Sequence, residues 1–200
     1  MFHLSLQESI KQIHNQNIRG THIEYLNDRT EYIHGIKLAE KILNKLSMNS
    51  FTDKSYILNA TIKLINTFKY NIFITCFSEE KDLLSQWKGY ANSGFGYSIG
   101  FKFSQIIERQ KMKYFNFATL KKVIYDSDKQ EEILTNTIKT TIQNSYKLLD
   151  EIENEDDKSK FIDEVCAYLF LCIEMLAATF KCSAFKEEKE WRLIYSFLLS

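Results

Sequence analysis

Apolar residues along this chain alternate between two periods, and the points where the period changes divide it into elements. Leu6, Ile10 and Ile13 recur at helical spacing, which predicts a helix over 6–15 behind a short first strand at 2–5. A second short strand fits 18–23. Tyr25 to Glu31 carries the Asn27-Asp28 turn chemistry that leads into a helix. Asp28 or Thr30 is the expected cap for the stripe Ile33, Ile36, Leu38, Ile42 and Leu46. A further helix fits 53–68. The run Asn71-Ile-Phe-Ile-Thr-Cys-Phe77 is short, bounded, β-branched and aromatic, and so predicts a strand. A brief helix at 85–90 follows, then strands at 96–101 and 119–125, with 111–117 as a further candidate. Beyond Tyr125 the pattern lengthens into two helices, about 128–150 and 157–180. The second is apolar on nearly every face, which predicts burial. Glu190-Trp-Arg-Leu-Ile-Tyr-Ser196 alternates again and reads as a strand returning to a central sheet. Strands clustered among helices make this an α+β chain.

Composition narrows the picture. Two hundred residues, 44% hydrophobic and 26% charged, suit one globular core, so the expectation is a single domain over 1–200 with a helical insertion at about 127–181. Twenty-six basic side chains balance twenty-six acidic ones, and no global field draws in duplex nucleic acid or an anionic membrane. The balance breaks locally, in a basic run at 102–122 and an acidic one at 150–157. Each has the form of a solvated face or connector, and the basic run also suits a polyanion or a nucleotide phosphate. Cys76, Cys166, Cys172 and Cys182 lack CxxC spacing and read as small core hydrophobes of a reducing compartment. His3, His14, His22 and His34 form no finger pair, so no metal is expected. The longest apolar run, 165–180, is broken by Glu174 and falls short of the ~20 residues a bilayer requires. No basic-then-apolar leader opens the chain. A cytoplasmic protein is expected.

Candidate chemistry sits in two places. Four of the six glycines, Gly89, Gly94, Gly96 and Gly100, fall within twelve residues of a chain without proline, interleaved with Trp87, Tyr90, Phe95 and Tyr97. Glycine there lets a backbone or a ligand come close, and the bland reading is an aromatic-packed hairpin. Near the C-terminus stands Phe185-Lys-Glu-Glu-Lys-Glu-Trp-Arg192. Period-two geometry puts Glu188, Glu190 and Arg192 on one face and Trp191, Leu193 and Tyr195 on the other. The alternative is an exposed strand edge with a solvated Glu–Arg pair.

His3 and Ser5, Tyr25-Leu-Asn-Asp with Glu31, Cys76-Phe-Ser78, Ser85-Gln-Trp-x-x-Tyr90, Gly-x-x-Ile-Gly-Phe101 and Glu-x-Glu-Trp-Arg192 follow one another along the chain. Taken in that order they resemble the bacterial domain-of-unknown-function family numbered 2971. That family looks like a divergent branch of the ADP-ribosyltransferase superfamily. The resemblance implies a small split antiparallel or mixed β-sheet with a ligand cleft, flanked by helices, with the two long helices inserted before the last strand. It also implies NAD as substrate, an unknown protein or nucleic-acid acceptor, and a role as a bacterial toxin or phage-defence effector.

Position by position, the resemblance assigns His3 to the adenosine-side ribose and Ser78, or Phe77 beside it, to the second-motif strand end. Trp87 and Tyr90 become the aromatics flanking nicotinamide. Glu190 becomes the last-strand glutamate, with Glu188 upstream orienting the acceptor. Ser5, Tyr25, Asn27, Ser85, Gly94 and Gly96 complete the implied binding residues. Arg192 either meets a phosphate or pairs with Glu188. Nicotinamide leaves as a neutral group and the transition state is oxocarbenium-like, so a fixed carboxylate near the ribose is the main requirement. The chain departs from the pattern in two ways: His3 has almost no strand before it, and the second motif lacks its tyrosine. A nucleotide or ligand sensor without turnover, and a nucleic-acid-processing or interaction protein using the 102–122 run, are the alternatives. In the leading reading the glycine-rich corner is one wall of a pocket that His3 and Glu190 close.

Overall fold

The computed structural model describes residues 2–5, 20–26, 29–48, 53–68, 72–90, 96–102, 104 and 117–196. In chain order the elements are β1 (Phe2–Ser5), β2 (Thr21–His22), a 3-10 turn (Ile23–Tyr25), α1 (Arg29–Met48), α2 (Asp53–Thr67) and β3 (Ile72–Ser78). They continue with α3 (Leu84–Tyr90), β4 (Gly96–Ile99), β5 (Phe117–Lys122), α4 (Ser127–Leu149), α5 (Glu155–Ala177), a second 3-10 turn (Ser183–Glu188) and β6 (Glu190–Ser196). The fold is α+β. The expected helix at 6–15, the caps proposed at Asp28 and most of the basic run lie outside the described residues, as does nearly all of the candidate strand at 111–117. Thr30 falls inside α1 and does not cap it.

The chain divides into two compact units, one of residues 1–29, 71–125 and 181–200 and one of residues 30–70 and 126–180. The first holds the strands. Its four-stranded sheet runs in the order β2-β3-β6-β5, and β1 pairs with β4 in a separate ribbon. Every pairing is antiparallel, so the mixed character allowed from sequence is absent among the described strands. β3 and β6 are the inner strands and bury residues on both faces, which is why they read as near-continuous apolar runs instead of clean alternations. Their register sets Ile74 opposite Ile194, Cys76 opposite Arg192 and Ser78 opposite Glu190. β6 is therefore a central strand and not the exposed edge that the bland reading supposed. The strand at 18–23 shrinks to two residues pairing with Phe73 and Ile74, because the chain turns into a 3-10 helix at Ile23.

The second unit is helical and larger than the 127–181 insertion, since α1 and α2 belong to it as well. α4 presents a single stripe, with Gln130, Leu134, Ile138, Ile142, Ser145 and Leu149 buried. Its N-cap is Asp126, whose carboxylate accepts the Lys129 amide at 3.0 Å. Asn154 caps α5 by accepting the Asp156 and Asp157 amides at 2.8 and 3.3 Å. The acidic run at 150–157 is thus largely a helix start, with Glu155, Asp156 and Asp157 set at the positive end of the helix dipole. α5 is buried along Val165, Cys166, Leu169, Ile173, Glu174 and Ala177, while Tyr168 is exposed, so its burial is one-sided and not all-round. Among the described residues no helix is long and apolar enough to cross a membrane.

Two packing details of this unit carry consequences. Gly35 sits in the interior of α1, where a Cβ would lie 2.9 Å from the Ala177 Cβ and 3.0 Å from its Cα. Backbone cannot retreat as a flexible side chain can. A helix-interior glycine gives up about 1 kcal/mol relative to alanine, but overpacking at such a contact costs roughly 1–3 kcal/mol. Gly35→Ala is therefore expected to lower the melting temperature despite its better helix propensity, and a rise would refute the close packing.

Glu174 is the second detail. It is 4% exposed, and its Oε1 has no hydrogen-bond partner among the described residues. Burial pushes its carboxyl up from 4.5 to about 9, so it is neutral in the folded protein at pH 7. A group whose folded value lies above its unfolded one stabilises fully below about pH 4.5 and loses that contribution as pH rises toward 9. The loss at pH 7 is about 3 kcal/mol. Glu174→Gln should be the more stable protein at pH 8 in urea titrations, with the advantage shrinking toward pH 4.5; parallel pH curves would refute the assignment.

Candidate functional site

At the entrance to β6 the chain makes a tight corner. Lys189 adopts the left-handed conformation, with φ 43°, between the 3-10 turn and the strand. The Lys189 carbonyl accepts the Glu79 amide at 3.2 Å, and the Glu190 carbonyl accepts the Val123 amide at 2.9 Å, so neighbouring segments on both sides hold the corner. Ser78 Oγ donates to the Glu188 carbonyl at 2.7 Å and accepts the Glu80 amide at 3.1 Å. These bonds place Glu190 at the end of the sheet, opposite the last residue of β3.

Four charged side chains meet there. Arg192 Nε donates to Glu190 Oε1 at 2.8 Å. Lys181 Nζ donates to Glu190 Oε2 at 2.9 Å and to Glu188 Oε2 at 2.8 Å. Lys181, Glu190 and Arg192 are 3%, 4% and 1% exposed, which puts three formal charges out of reach of bulk water. Tyr125 completes the shell: its hydroxyl accepts the Glu190 amide at 2.9 Å. The Phe185 ring lies 5.0 Å from Lys181 Nζ, a cation–π contact over the ammonium.

Residues 86–193 match the family described as a protein of unknown function, DUF2971. The chain belongs to the DUF2971 family. No curated protein and no solved structure matches it. In this DUF2971 chain the matched stretch contains Lys181, Glu188, Glu190 and Arg192 of the cluster together with Tyr125 and Trp87, and leaves out β1, β2 and β3.

The electrostatics follow from burial and proximity. Burial alone would raise the Glu190 carboxyl, but the positive charges of Arg192 and then Lys181 outweigh it and hold the group at about 2. Glu190 is an anion throughout the physiological range. The same charge acts in reverse on its neighbours. Burial, and then the Glu190 carboxylate, push the Cys76 thiol well up, so Cys76 is a neutral thiol and not a nucleophile. Burial raises the Tyr125 phenol to about 12.

Of the residues singled out from sequence, the DUF2971 structure gathers Ser78, Glu188, Glu190 and Arg192. Glu188 belongs to the 3-10 turn and not to the strand, yet it shares the Lys181 ammonium with Glu190. Arg192 pairs with Glu190, two residues before it on the same face of β6, where the sequence reading offered Glu188. Phe77 and Trp191 occupy the opposite face. There Trp191 Nε1 donates to Glu79 Oε1 at 2.7 Å, and Phe101 meets Phe77 edge-on at 5.8 Å between ring centroids. The described end of the glycine-rich corner therefore docks on the side of the sheet away from the Glu190 carboxylate, which corrects the simple picture of a wall facing it.

Trp87 is half-buried on α3 and donates to Asp82 Oδ1 at 2.8 Å, while Ser85 is exposed beside it. Gly96 opens β4 and pairs with Ser5; His3 pairs with Ser98. β1 contacts both β3 and α3. Tyr25 is 79% exposed and packs near His22, which meets Phe73 at the far end of β3. Five residues of strand, about 17 Å, separate Phe73 from Ser78, so Tyr25 does not join the cluster. Asn27 and Gly94 lie outside the described residues, as do the side chains of His3, Ser5 and Tyr90. Cys166 is buried, Cys76 and Cys172 are half-buried, and Cys182 is exposed, which departs from the core role expected of it.

Lys181 and Tyr125 are the members of the cluster that the sequence did not flag, and Cys76 was read only as a core hydrophobe within the Cys76-Phe-Ser78 block. The available signal was a lone lysine directly behind the longest apolar run, where an unpaired ammonium would be costly. Lys189 yields the test of the corner. Glycine adopts its φ without a Cβ clash and a β-branched residue does not. Lys189→Gly should hold or raise the melting temperature even though it loses the ion pair with Glu80, whereas Lys189→Val should lower it by several degrees. Equal melting temperatures for the two variants would refute the strained corner.

Proposed function

We propose that this DUF2971 protein is an ADP-ribosyltransferase-like enzyme that uses NAD as substrate, with Glu190 as the carboxylate that engages the nicotinamide ribose. The observation that carries the reading is Glu190 itself, a strand-borne carboxylate that is buried, ionised at every physiological pH and fixed by two cations. The two carboxylate oxygens together accept about four hydrogen bonds; Lys181, Arg192 and the Cys76 thiol take three, which leaves one for a ribose hydroxyl. Glu190 begins β6 and Ser78 ends β3, so in this reading the ribose meets the pair at the end of the sheet. The family resemblance supports the same assignment.

The chemistry is a group transfer at one carbon. The bond between ribose C1′ and the nicotinamide nitrogen breaks, and its electron pair leaves with nicotinamide as a neutral molecule. An acceptor oxygen or nitrogen then forms a bond to C1′ and gives up a proton to solvent. Positive charge builds on the ribose ring between these events. A fixed anion hydrogen-bonded to the ribose stabilises that charge without reorganising, and removing such a preorganised group costs roughly 10²–10³ in rate. The opposing reading is a nucleotide sensor without turnover, motivated by the missing second-motif tyrosine and the short first strand; in it Glu190, 5% exposed and held by Lys181 and Arg192, serves the fold and does not reach the ribose.

The two readings separate in one experiment. Incubation of the wild-type protein with NAD should release nicotinamide, and Glu190→Gln should reduce the rate by roughly 10²–10³ while binding NAD with affinity similar to wild type. Thermal melting of the variant establishes that it is folded. Calorimetric binding of NAD without nicotinamide release identifies the sensor. Release undiminished in Glu190→Gln removes Glu190 from the chemistry.

A further inference from the structure

The cluster contains one residue that the proposed chemistry does not call for. Lys181 follows Ala177, Ala178, Thr179 and Phe180, all buried, and is 3% exposed. A lysine in such a place costs free energy unless its charge is matched and its protons are taken. Here its Nζ meets Glu188 Oε2 and Glu190 Oε2 at 2.8 and 2.9 Å, so those two oxygens are no more than about 5.7 Å apart. Its backbone is fixed as well. The Lys181 amide donates to the Ile124 carbonyl at 3.2 Å, and the next residue, Tyr125, accepts the Glu190 amide. The ammonium is thus anchored from the β5 side of the sheet and presents its charge to two carboxylates of another segment.

The other lysine ion pairs of the described residues have a different character. Lys122 with Glu79, Lys158 with Glu155, Lys160 with Asp157 and Lys189 with Glu80 all leave about a third or more of each side chain in solvent. Screening makes such pairs weak and mobile. The chemistry of the side chain also matters. A compact ammonium donates to two carboxylates lying in different directions, while a planar guanidinium is suited to gripping one of them bidentately.

We infer that Lys181 is a positioning residue of this site, which holds Glu188 and Glu190 on a single nitrogen and so fixes the orientation of the carboxylate that meets the ribose. This inference rests on the reading of Glu190 given above. Among the described residues the groups around Glu190 are Lys181 from the segment after α5, Glu188 from the 3-10 turn, Arg192 on its own strand, Cys76 on β3 and Tyr125 after β5. Lys121, opposite Arg192 on β5, is exposed. With Lys181 gone, Glu188 loses the ammonium it shares and, among the described residues, Arg192 is the cation left on Glu190. Glu190 Oε2 is then released to turn, and the carboxyl becomes easier to protonate.

The test uses the full chain with Lys181→Met and Lys181→Arg. In the wild type the Glu190 carboxyl lies at about 2 against an ordinary 4.5, so its contribution to stability is complete above about pH 4.5 and is lost as pH falls toward 2. Denaturant titrations from pH 2 to 7 should show a shallower acid loss in Lys181→Met than in the wild type, with Lys181→Arg lying between. Nicotinamide release should fall about tenfold or more in kcat at pH 7 in Lys181→Met, with KM for NAD changed less than about threefold and the acid limb of the rate moved up by about one pH unit or more. Lys181→Arg, which keeps the charge, should recover part of the rate and is the variant to read if Lys181→Met fails to fold. An acid limb of stability identical in all three proteins overturns the role of Lys181 whatever the turnover. A kcat unchanged in a folded Lys181→Met overturns it as well. Absence of release by the wild type instead rejects the reading of Glu190 as a ribose-engaging group, and the stability profiles still decide whether Lys181 controls its charge.

Discussion

The strand-bearing unit depends on keeping charges away from water at the end of its sheet. Removing a carboxylate, an ammonium and a guanidinium from solvent costs several kcal/mol per ion, and only matched charges with well-aligned hydrogen bonds offset that cost. Lys181, Glu190 and Arg192 meet this condition, with Glu188 as the second anion at the rim. The network draws together segments that are remote in sequence: Ser78 closes β3, Tyr125 follows β5, and residues 181–192 carry the charges. Removing any one member strands a neighbour, so the cluster specifies the arrangement of these segments more than it adds net stability.

Much of the architecture was legible because it rests on local rules. The strand at 190–196 coincides with β6, and the strand at 71–77 differs from β3 by one residue at each end. Both announce themselves through β-branched and aromatic residues bounded by polar ones. The long helices lie within two or three residues of their expected limits because Asp126 and Asn154 cap them. The one-sided burial of α5 was less legible. Ala167 and Tyr168 extend its apolar pattern to a face that the fold leaves in solvent, and hydrophobic residues exposed singly do not betray themselves in a sequence.

The site was legible only in part, for a reason of register. Glu190 and Arg192 share a face by period two, which a sequence does reveal. That Cys76 stands across from Arg192, or that the lysine behind α5 reaches both glutamates, depends on which residues of remote segments oppose one another. Charge pairing between such segments leaves no periodic trace. Glu174 shows the same limit in the helical unit. It was visible as an interruption in an apolar run, but its burial within the helix stripe, and hence its neutral state, follows only from the packing.

The position of β6 in the sheet has a consequence for how the protein is made. β3 and β5 do not pair with each other; both hydrogen-bond to β6, which is synthesised after them. Until residues 190–196 emerge, β3 has, among the described strands, only the two-residue β2 beside it, and β5 has none. Pairing over more than 110 residues, from Ile72 to Ser196, also makes a slow closure step. The charged site therefore comes into existence only once β6 has been made. A nascent chain that stops short of β6 carries separate parts of the cluster but not the cluster, so whatever chemistry Glu190 performs is withheld from the cell until synthesis has passed β6.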